Sequence, residues 1–237
     1  MERLDKVLAG TGRWSRREVK LLVRQGQVRV NGMAAVSAEE KIDPETAVIT
    51  VGGESIRLQK FTYVMLHKPA GVLTATEDRW QATVLELLPA ELRRRGLSPV
   101  GRLDKDTEGL LLLTDDGELA HRLLSPKHHV DKRYYARVDG ALGPEDVAAF
   151  ASGMTLGDGL ECLPAGLEPL EPGACIVTLR EGKFHQVKRM LAARGAPVLY
   201  LKRLSMGPLE LDKALPVGAF RELTAAETAT LRAAAGL

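Results

Sequence analysis

The chain has 237 residues, 45% of them hydrophobic and 27% charged, with a net charge of +2. That length accommodates one large domain or two smaller ones with real cores, and the composition is that of an ordinary globular protein. No apolar run approaches the roughly 20 residues needed to span a bilayer, and two cysteines, Cys162 and Cys175, are too few for a disulfide framework or a four-thiolate zinc site.

The opening MERLDKVLAG carries acids at Glu2 and Asp5 where a secretory signal would be basic and then apolar. A cytoplasmic location is therefore expected, with both cysteines as reduced core thiols. Residues 1–29 hold eight Lys or Arg against three acids, a net +5. A basic module on a near-neutral remainder suits a polyanionic partner. The plainer alternative is a solvated, Arg-rich helix face.

In chain order, Met1 to Gly10 reads as a short helix with Leu4, Val7 and Leu8 on one face. SRREVKLLVRQGQVRVNG then opens on a capping box, Ser15 with Glu18. Val19, Leu22 and Val23 supply its apolar stripe, Arg16, Arg17, Lys20 and Arg24 fall largely opposite, and Gly26 closes the helix. Val28 to Val30 alternates as a half-buried strand, turns at Asn31-Gly32, and is followed by strand-like Val48 to Val51. Two helices and a small sheet thus fill about 58 residues. This arrangement resembles the small RNA-binding domain named after ribosomal protein S-four, which implies that Arg16, Arg17, Lys20 and Arg24 grip RNA backbone. Phosphate contacts position a protein without reading sequence.

After Gly52-Gly53, a linker near 56–61 leads to a second unit that opens with FTYVMLHKPAGVLTA. Tyr63 to Leu66 reads as a strand, interrupted at Lys68-Pro69-Ala70-Gly71, with Val72 to Thr74 extended again. TVLELLPAELRRR is helical in two pieces around Pro89. A loop at 101–108 precedes a strand from Leu110 to Thr114, a turn at Asp115-Asp116-Gly117 and a helix to Leu124. YYARVDG and CIVTLRE read as strands, and FHQVKRMLAARG as a helix burying Val187, Met190 and Leu191. Strands around 198–211 and a last helix capped by Thr224 with Glu227 complete the chain. The mixed order favours an α+β fold over a doubly wound parallel sheet.

The loop GRLDKDTEG places Asp104 and Asp106 against a run of four leucines, where a carboxylate loses hydration and needs a partner or a task. From the residues alone, three readings stay open. Asp104 and Asp106 could form a metal-binding pair, although Lys105 lies between them. His121, His128, His129 and His185 could suggest zinc, but their spacing fits no common ligand pattern. The loop could also simply cap a strand.

Gly101-Arg102-Leu103-Asp104, Thr107, Gly109 and the leucine strand resemble the signature loop of the RNA pseudouridine synthases. HKPAG (67–71), SPKHHVDKRYYARV (125–138) and EGKFHQVKRMLAARG (181–195) agree with that family, and the likeness runs from Met1 to about Thr224. Together with the basic N-terminal domain they are most similar to its small-subunit branch, which acts on uridine 516 of 16S rRNA. The resemblance implies two domains, an S-four-like RNA-binding domain over 1–58 and a catalytic domain over 61–237. The catalytic domain is expected to be built on an extended, mixed, largely antiparallel sheet flanked by helices and loops.

The resemblance further implies that Asp104 is the nucleophile, Lys188 its desolvated ion-pair partner, Tyr134 a stacking surface for the base, and Arg102 the side chain that fills the space left by a flipped uridine. Lys132, His185, Gln186 and Arg189 are expected to contact RNA. Gly101 and Gly109 would matter as backbone, and Thr107 would bond backbone groups in the loop. Lys105, Glu108, His67 and Phe184 stand where the family tolerates variation. The implied reaction needs no cofactor and no metal. The expected partner is ribosomal RNA, 16S rRNA or a small-subunit assembly intermediate, bound by a monomer with no membrane association. Two alternatives are a large-subunit 23S target and a non-catalytic assembly factor using the same surface.

Overall fold

The computed structural model describes residues 1–56, 58–125 and 130–237. The chain forms two compact units, Met1–Thr62 with Leu88–Leu97, and Tyr63–Leu87 with Ser98–Leu237. In the first, helices Leu4–Gly10 and Arg16–Arg24 accompany an antiparallel sheet ordered Met33–Ala34, Val28–Val30, Ile49–Val51, Glu54–Ile56. The second helix starts where the sequence says it should. Ser15 Oγ accepts from the Glu18 amide and the Glu18 carboxylate accepts from the Ser15 amide. Asn31 and Gly32 both lie in the left-handed region, as the two-residue hairpin turn requires. Leu4, Leu8, Val19, Val23, Val28 and Ile49 form the core. The first helix is shorter than expected because Glu2–Arg3 pairs with Lys41–Ile42 as a strand.

A single cut between 58 and 61 does not describe the division, because Leu88–Leu97 is grouped with the first unit. Its helix, Ala90–Arg94, packs so closely on Gly12 that a Cβ there would lie 2.1 Å from the Glu91 carbonyl oxygen. Arg94 Nε also donates to the Gly12 carbonyl at 2.8 Å.

The second unit is built on a nine-stranded sheet. Its main path runs Gly166–Glu171, Ala174–Leu179, Lys132–Val138, Val198–Met206, Glu108–Thr114, Tyr63–Lys68, Phe220–Glu222. The pairing of Val198–Met206 with Glu108–Thr114 is parallel and the other pairs on the path are antiparallel. Glu108–Thr114 is buried on both faces from Gly109 onward, which is why it reads as an unbroken leucine run instead of an alternation. Met65, Leu110, Leu112, Leu119, Leu123, Leu231 and Ala235 join the sheet to helices Gly117–Leu124 and Ala225–Ala234. At the parallel crossing Gly109 has φ 107°, and a Cβ would meet the Arg203 carbonyl oxygen at 2.3 Å. No other residue fits there without moving a strand.

Strand boundaries extend beyond those expected. The first strand continues to Lys68, while Val72 to Thr74 contributes only an isolated bridge, Leu73 to Thr83. The helix Pro144–Ser152 and the strands Gly166–Glu171 and Phe220–Glu222 were not anticipated from sequence.

The segment after Tyr63–Lys68 cradles the loop at 101–108. Lys68 is fully buried, and its Nζ donates to the carbonyls of Pro69 (2.9 Å), Asp104 (3.1 Å), Lys105 (3.3 Å) and Thr107 (2.9 Å). Gly71 N donates to the Lys105 carbonyl at 2.7 Å. Thr74 Oγ1 donates to the Leu103 carbonyl and accepts from the Leu103 amide. Thr107 contributes through its backbone, its amide donating to the Asp104 carbonyl at 3.1 Å. Its hydroxyl, expected to bond the loop, is buried with no partner among the described residues.

Replacing Lys68 by Met should strand these carbonyls, at about 1–3 kcal/mol for a buried unsatisfied group. The expected result is a loss of about 2–4 kcal/mol in denaturant unfolding; an unchanged unfolding midpoint would refute the clamp. At the C-terminal helix, Arg221 donates to both Glu227 oxygens (2.7 and 2.9 Å) and Thr224 donates its amide at 2.8 Å. Hydrogen bonds from Arg221, which outweigh burial, together with those from Thr224 hold Glu227 at about 2 against an ordinary 4.5. A depressed carboxylate stabilises the fold above its unfolded pKa and loses that contribution as pH falls through its folded one. Glu227→Gln should therefore cost about 1 kcal/mol at neutral pH, and the gap from wild type should close between about pH 4.5 and 2. Melting curves across that range provide the check.

Candidate active site

The cradled loop delivers Asp104 to a cleft that is also lined by Arg102, Thr107, Tyr134, His185 and Lys188. Each comes from a different constraint. Gly101, at φ 75°, turns the chain into the loop, where a Cβ would press within 2.9 Å of Leu124. Tyr134 sits on Lys132–Val138 opposite Val177 and Arg203 and is 8% exposed. Strand alternation sends its neighbour Tyr135 to the other face, where it meets the Tyr200 ring edge-on at 6.3 Å. The two adjacent tyrosines are thereby told apart.

Lys188 lies in the first turn of helix Gln186–Ala193, whose buried face is Val187, Met190 and Leu191. The helix entry is fixed by Gln186, which accepts from the Lys183 amide at 3.0 Å and donates to Glu181 at 2.6 Å. Glu181 in turn accepts from the Leu163 amide. His185 precedes the helix with φ 50° and ψ 30°. For a residue other than glycine that backbone costs about 1–3 kcal/mol and marks a position worth explaining.

Lys188 Nζ stands 3.0 Å from Asp104 Oδ2 and 2.5 Å from Asp106 Oδ1. One ammonium thus serves two carboxylates. Burial works against its charge, but the hydrogen bonds to Asp106 and Asp104 outweigh that and raise its pKa. The bond from Lys188 is likewise the main cause of the lowered Asp106 pKa. His185 Nε2 lies 3.5 Å from Asp104 Oδ1, an additional ion-pair partner whenever the ring is protonated. The Asp104–Lys188 pair is not fully desolvated as expected, since each side chain retains about a quarter of its exposure. A substrate can therefore reach the carboxylate without breaking the fold. The shared partner of Asp104 and Asp106 is a lysine, which leaves the metal-pair reading of the loop without the geometry it needs.

Arg102 is exposed at the cleft and Arg189 is engaged by Asp158. Two residues expected to contact RNA do not present their polar ends. Lys132 is 5% exposed with Nζ on the Val130 carbonyl, and burial lowers its pKa. Gln186 is 3% exposed and committed to Glu181 and Lys183. Both point inward because they fall on the buried faces of their elements. His128 and His129, within SPKHHVDK, lie outside the described residues. Sequence reasoning missed Lys68, Thr74 and the part taken by Asp106. HKPAG was visible as a motif, but nothing in it announces that its lysine is buried. In the first unit Arg16, Arg17, Lys20 and Arg24 are exposed on one helix above buried Val19 and Val23, with Lys20 3.3 Å from Glu39.

Comparison with known proteins identifies the family. The RNA pseudouridylate synthase family matches residues 62–193, and the S4 domain family matches residues 2–48. An uncharacterized RNA pseudouridine synthase of Bacillus subtilis is 48% identical over 95% of this chain and 96% of its own. A protein named ribosomal small subunit pseudouridine synthase A, from Vibrio cholerae, is 39% identical over 97% and 99%. A crystal structure of a pseudouridylate synthase superposes with a TM-score of 0.69 at 36% identity, covering 98% of this chain and all of the other. The chain belongs to the RNA pseudouridine synthase family, an RNA-modifying isomerase with an N-terminal S4 domain.

Proposed function

We propose that the protein converts one uridine of small-subunit ribosomal RNA, uridine 516 of 16S rRNA, to pseudouridine, with Asp104 as nucleophile. The observation that carries the mechanistic reading is the carboxylate of Asp104 held 3.0 Å from Lys188 in a cleft it shares with Tyr134 and Arg102. The target reading is supported by full-length similarity to proteins named for the small subunit in Vibrio cholerae and Pseudomonas aeruginosa.

In the isomerisation the bond from N1 to C1′ breaks and one from C5 to C1′ forms. C5 loses a proton and N1 gains one, so nothing outside the nucleotide is consumed. Asp104 supplies the nucleophilic carboxylate and Lys188 its counter-ion. Asp106 anchors the far side of the ammonium, so Lys188 stays in place when Asp104 engages substrate. Tyr134 offers its ring to a uracil that must stay bound while it turns, and stacking tolerates that rotation. Arg102 occupies the space the flipped nucleotide vacates, offsetting unstacking of roughly a few kcal/mol. Arg16, Arg17, Lys20 and Arg24 tether the RNA backbone.

Carbodiimide mapping by primer extension on rRNA from cells with and without the gene tests the target. One stop lost from 16S rRNA at the proposed uridine is expected, restored by wild type and not by Asp104→Asn. A stop lost from 23S rRNA instead would overturn the target and keep the reaction. In vitro, Asp104→Asn should lose at least about a thousand-fold in rate with RNA affinity within a few-fold. Lys188→Met should lose about 30- to 150-fold, the expectation for an ion pair only partly withdrawn from water. Full turnover by Asp104→Asn would sink the mechanism. For the tether, replacing Arg16, Arg17 and Arg24 together by Ala should flatten the slope of log affinity against log salt by about 2–3, near 0.7–0.9 per lost phosphate contact. An unaltered slope would place the RNA elsewhere.

A further inference from the structure

Phe184 is one of only four phenylalanines in the chain, and it is 74% exposed. A lone exposed apolar side chain is ordinary and carries no message by itself. Its setting is what distinguishes this one. The ring lies nearly parallel to His185, centroids 3.8 Å apart at 21°. His185 is held in its left-handed backbone at the start of the Lys188 helix, and its Nε2 is 3.5 Å from the Asp104 carboxylate. His185 thus touches the carboxylate through a nitrogen at its ring edge and the phenyl ring across its ring face. One face of the phenyl ring is backed and the other is open.

We propose that Phe184, backed by His185, is a stacking shelf for the base of a nucleotide adjacent to the target uridine. The inference rests on the pseudouridine synthase reading and adds where the neighbouring RNA is held. The shelf is distinct from the platform for the target base, because Tyr134 lines the cleft of Asp104 and Phe184 is not among the residues that line it. It suits an unpaired RNA base because every nucleobase has a π-face, and stacking on an aromatic ring is tolerant of base identity. The charges around it are paired, Lys183 with Glu181, Lys188 with Asp104 and Asp106, and Arg189 with Asp158, so the open aromatic face carries the inference. Flipping one uridine unstacks its neighbour, and the shelf gives that neighbour a new surface beside the nucleophile.

The test compares Phe184→Trp, Phe184→Leu and Phe184→Ala in the full-length protein, with a 16S rRNA transcript as substrate and pseudouridine formation as readout. A stacking shelf predicts that Trp keeps wild-type KM, while Leu and Ala raise KM about five- to a hundred-fold. It also predicts that the loss falls on KM far more than on kcat. Thermal midpoints should hold within error in all three, since the side chain is largely outside the core. Wild-type KM in Phe184→Leu would overturn the shelf, because Leu matches the ring in apolarity but offers no π-face. Asp104→Asn, run alongside, reports on the reaction reading separately. If it abolishes product while Phe184→Leu is unaffected, the shelf alone has failed.

Discussion

The arrangement depends on a charge that ought not to be buried. Lys68 has no exposed surface, and burial pushes its pKa down to about 8 against the pull of Asp106, Asp104 and Glu108. Its ammonium is tolerable because four carbonyl oxygens converge on it. Three of those oxygens belong to the loop that carries Asp104. The loop cannot relax without stranding the ammonium, and the ammonium cannot leave without stranding the loop. Thr74 and Gly71 extend the same logic from the adjoining chain. A carboxylate on a loop is thereby held with the definition of one on a strand.

From that fixed point the rest of the cleft follows by packing. The leucine strand leaves the loop buried on both faces, and its glycine crosses Arg203 where no side chain fits. The parallel crossing connects the loop to Val198–Met206, which is antiparallel to the strand bearing Tyr134. On the other side the Gln186–Glu181 contact sets the helix that brings Lys188 to both acids. Asp104 on its loop, Tyr134 on its strand and Lys188 with His185 at the helix entry thus line one cleft although they lie far apart in sequence.

Much of this was legible in the residues. The capping boxes at Ser15 and Thr224, the break at Pro89, the Asn31-Gly32 turn and the inward face of the Lys188 helix are local features, written in nearest-neighbour chemistry, and each formed as expected. The pairing of Asp104 with Lys188 was readable only through family resemblance, since no local rule links residues 84 positions apart. Lys132 and Gln186 were misplaced because a polar side chain in a basic, polar stretch gives no sign of which way it faces until neighbouring strands and turns are fixed. Lys68 escaped for the same reason. Its partners are backbone atoms of a loop 36 to 39 residues away, and carbonyls leave no trace in composition. The helix Ala90–Arg94 was found, but its allegiance to the first unit hangs on a bare Gly12 surface that sequence does not advertise.

The hydrogen bonds of the Lys68 clamp reach main chain only, while the acids Asp106, Asp104 and Glu108 favour its charge from the side chains of the same segment. A change at Lys105, whose Nζ reaches Gln81, or at Glu108, which accepts from the Tyr200 hydroxyl, removes a side-chain bond but none of the clamp's own. The opposite holds at position 68, where one change is felt by every residue from Asp104 to Thr107 at once. A change at the rim and a change at position 68 therefore carry unequal structural costs.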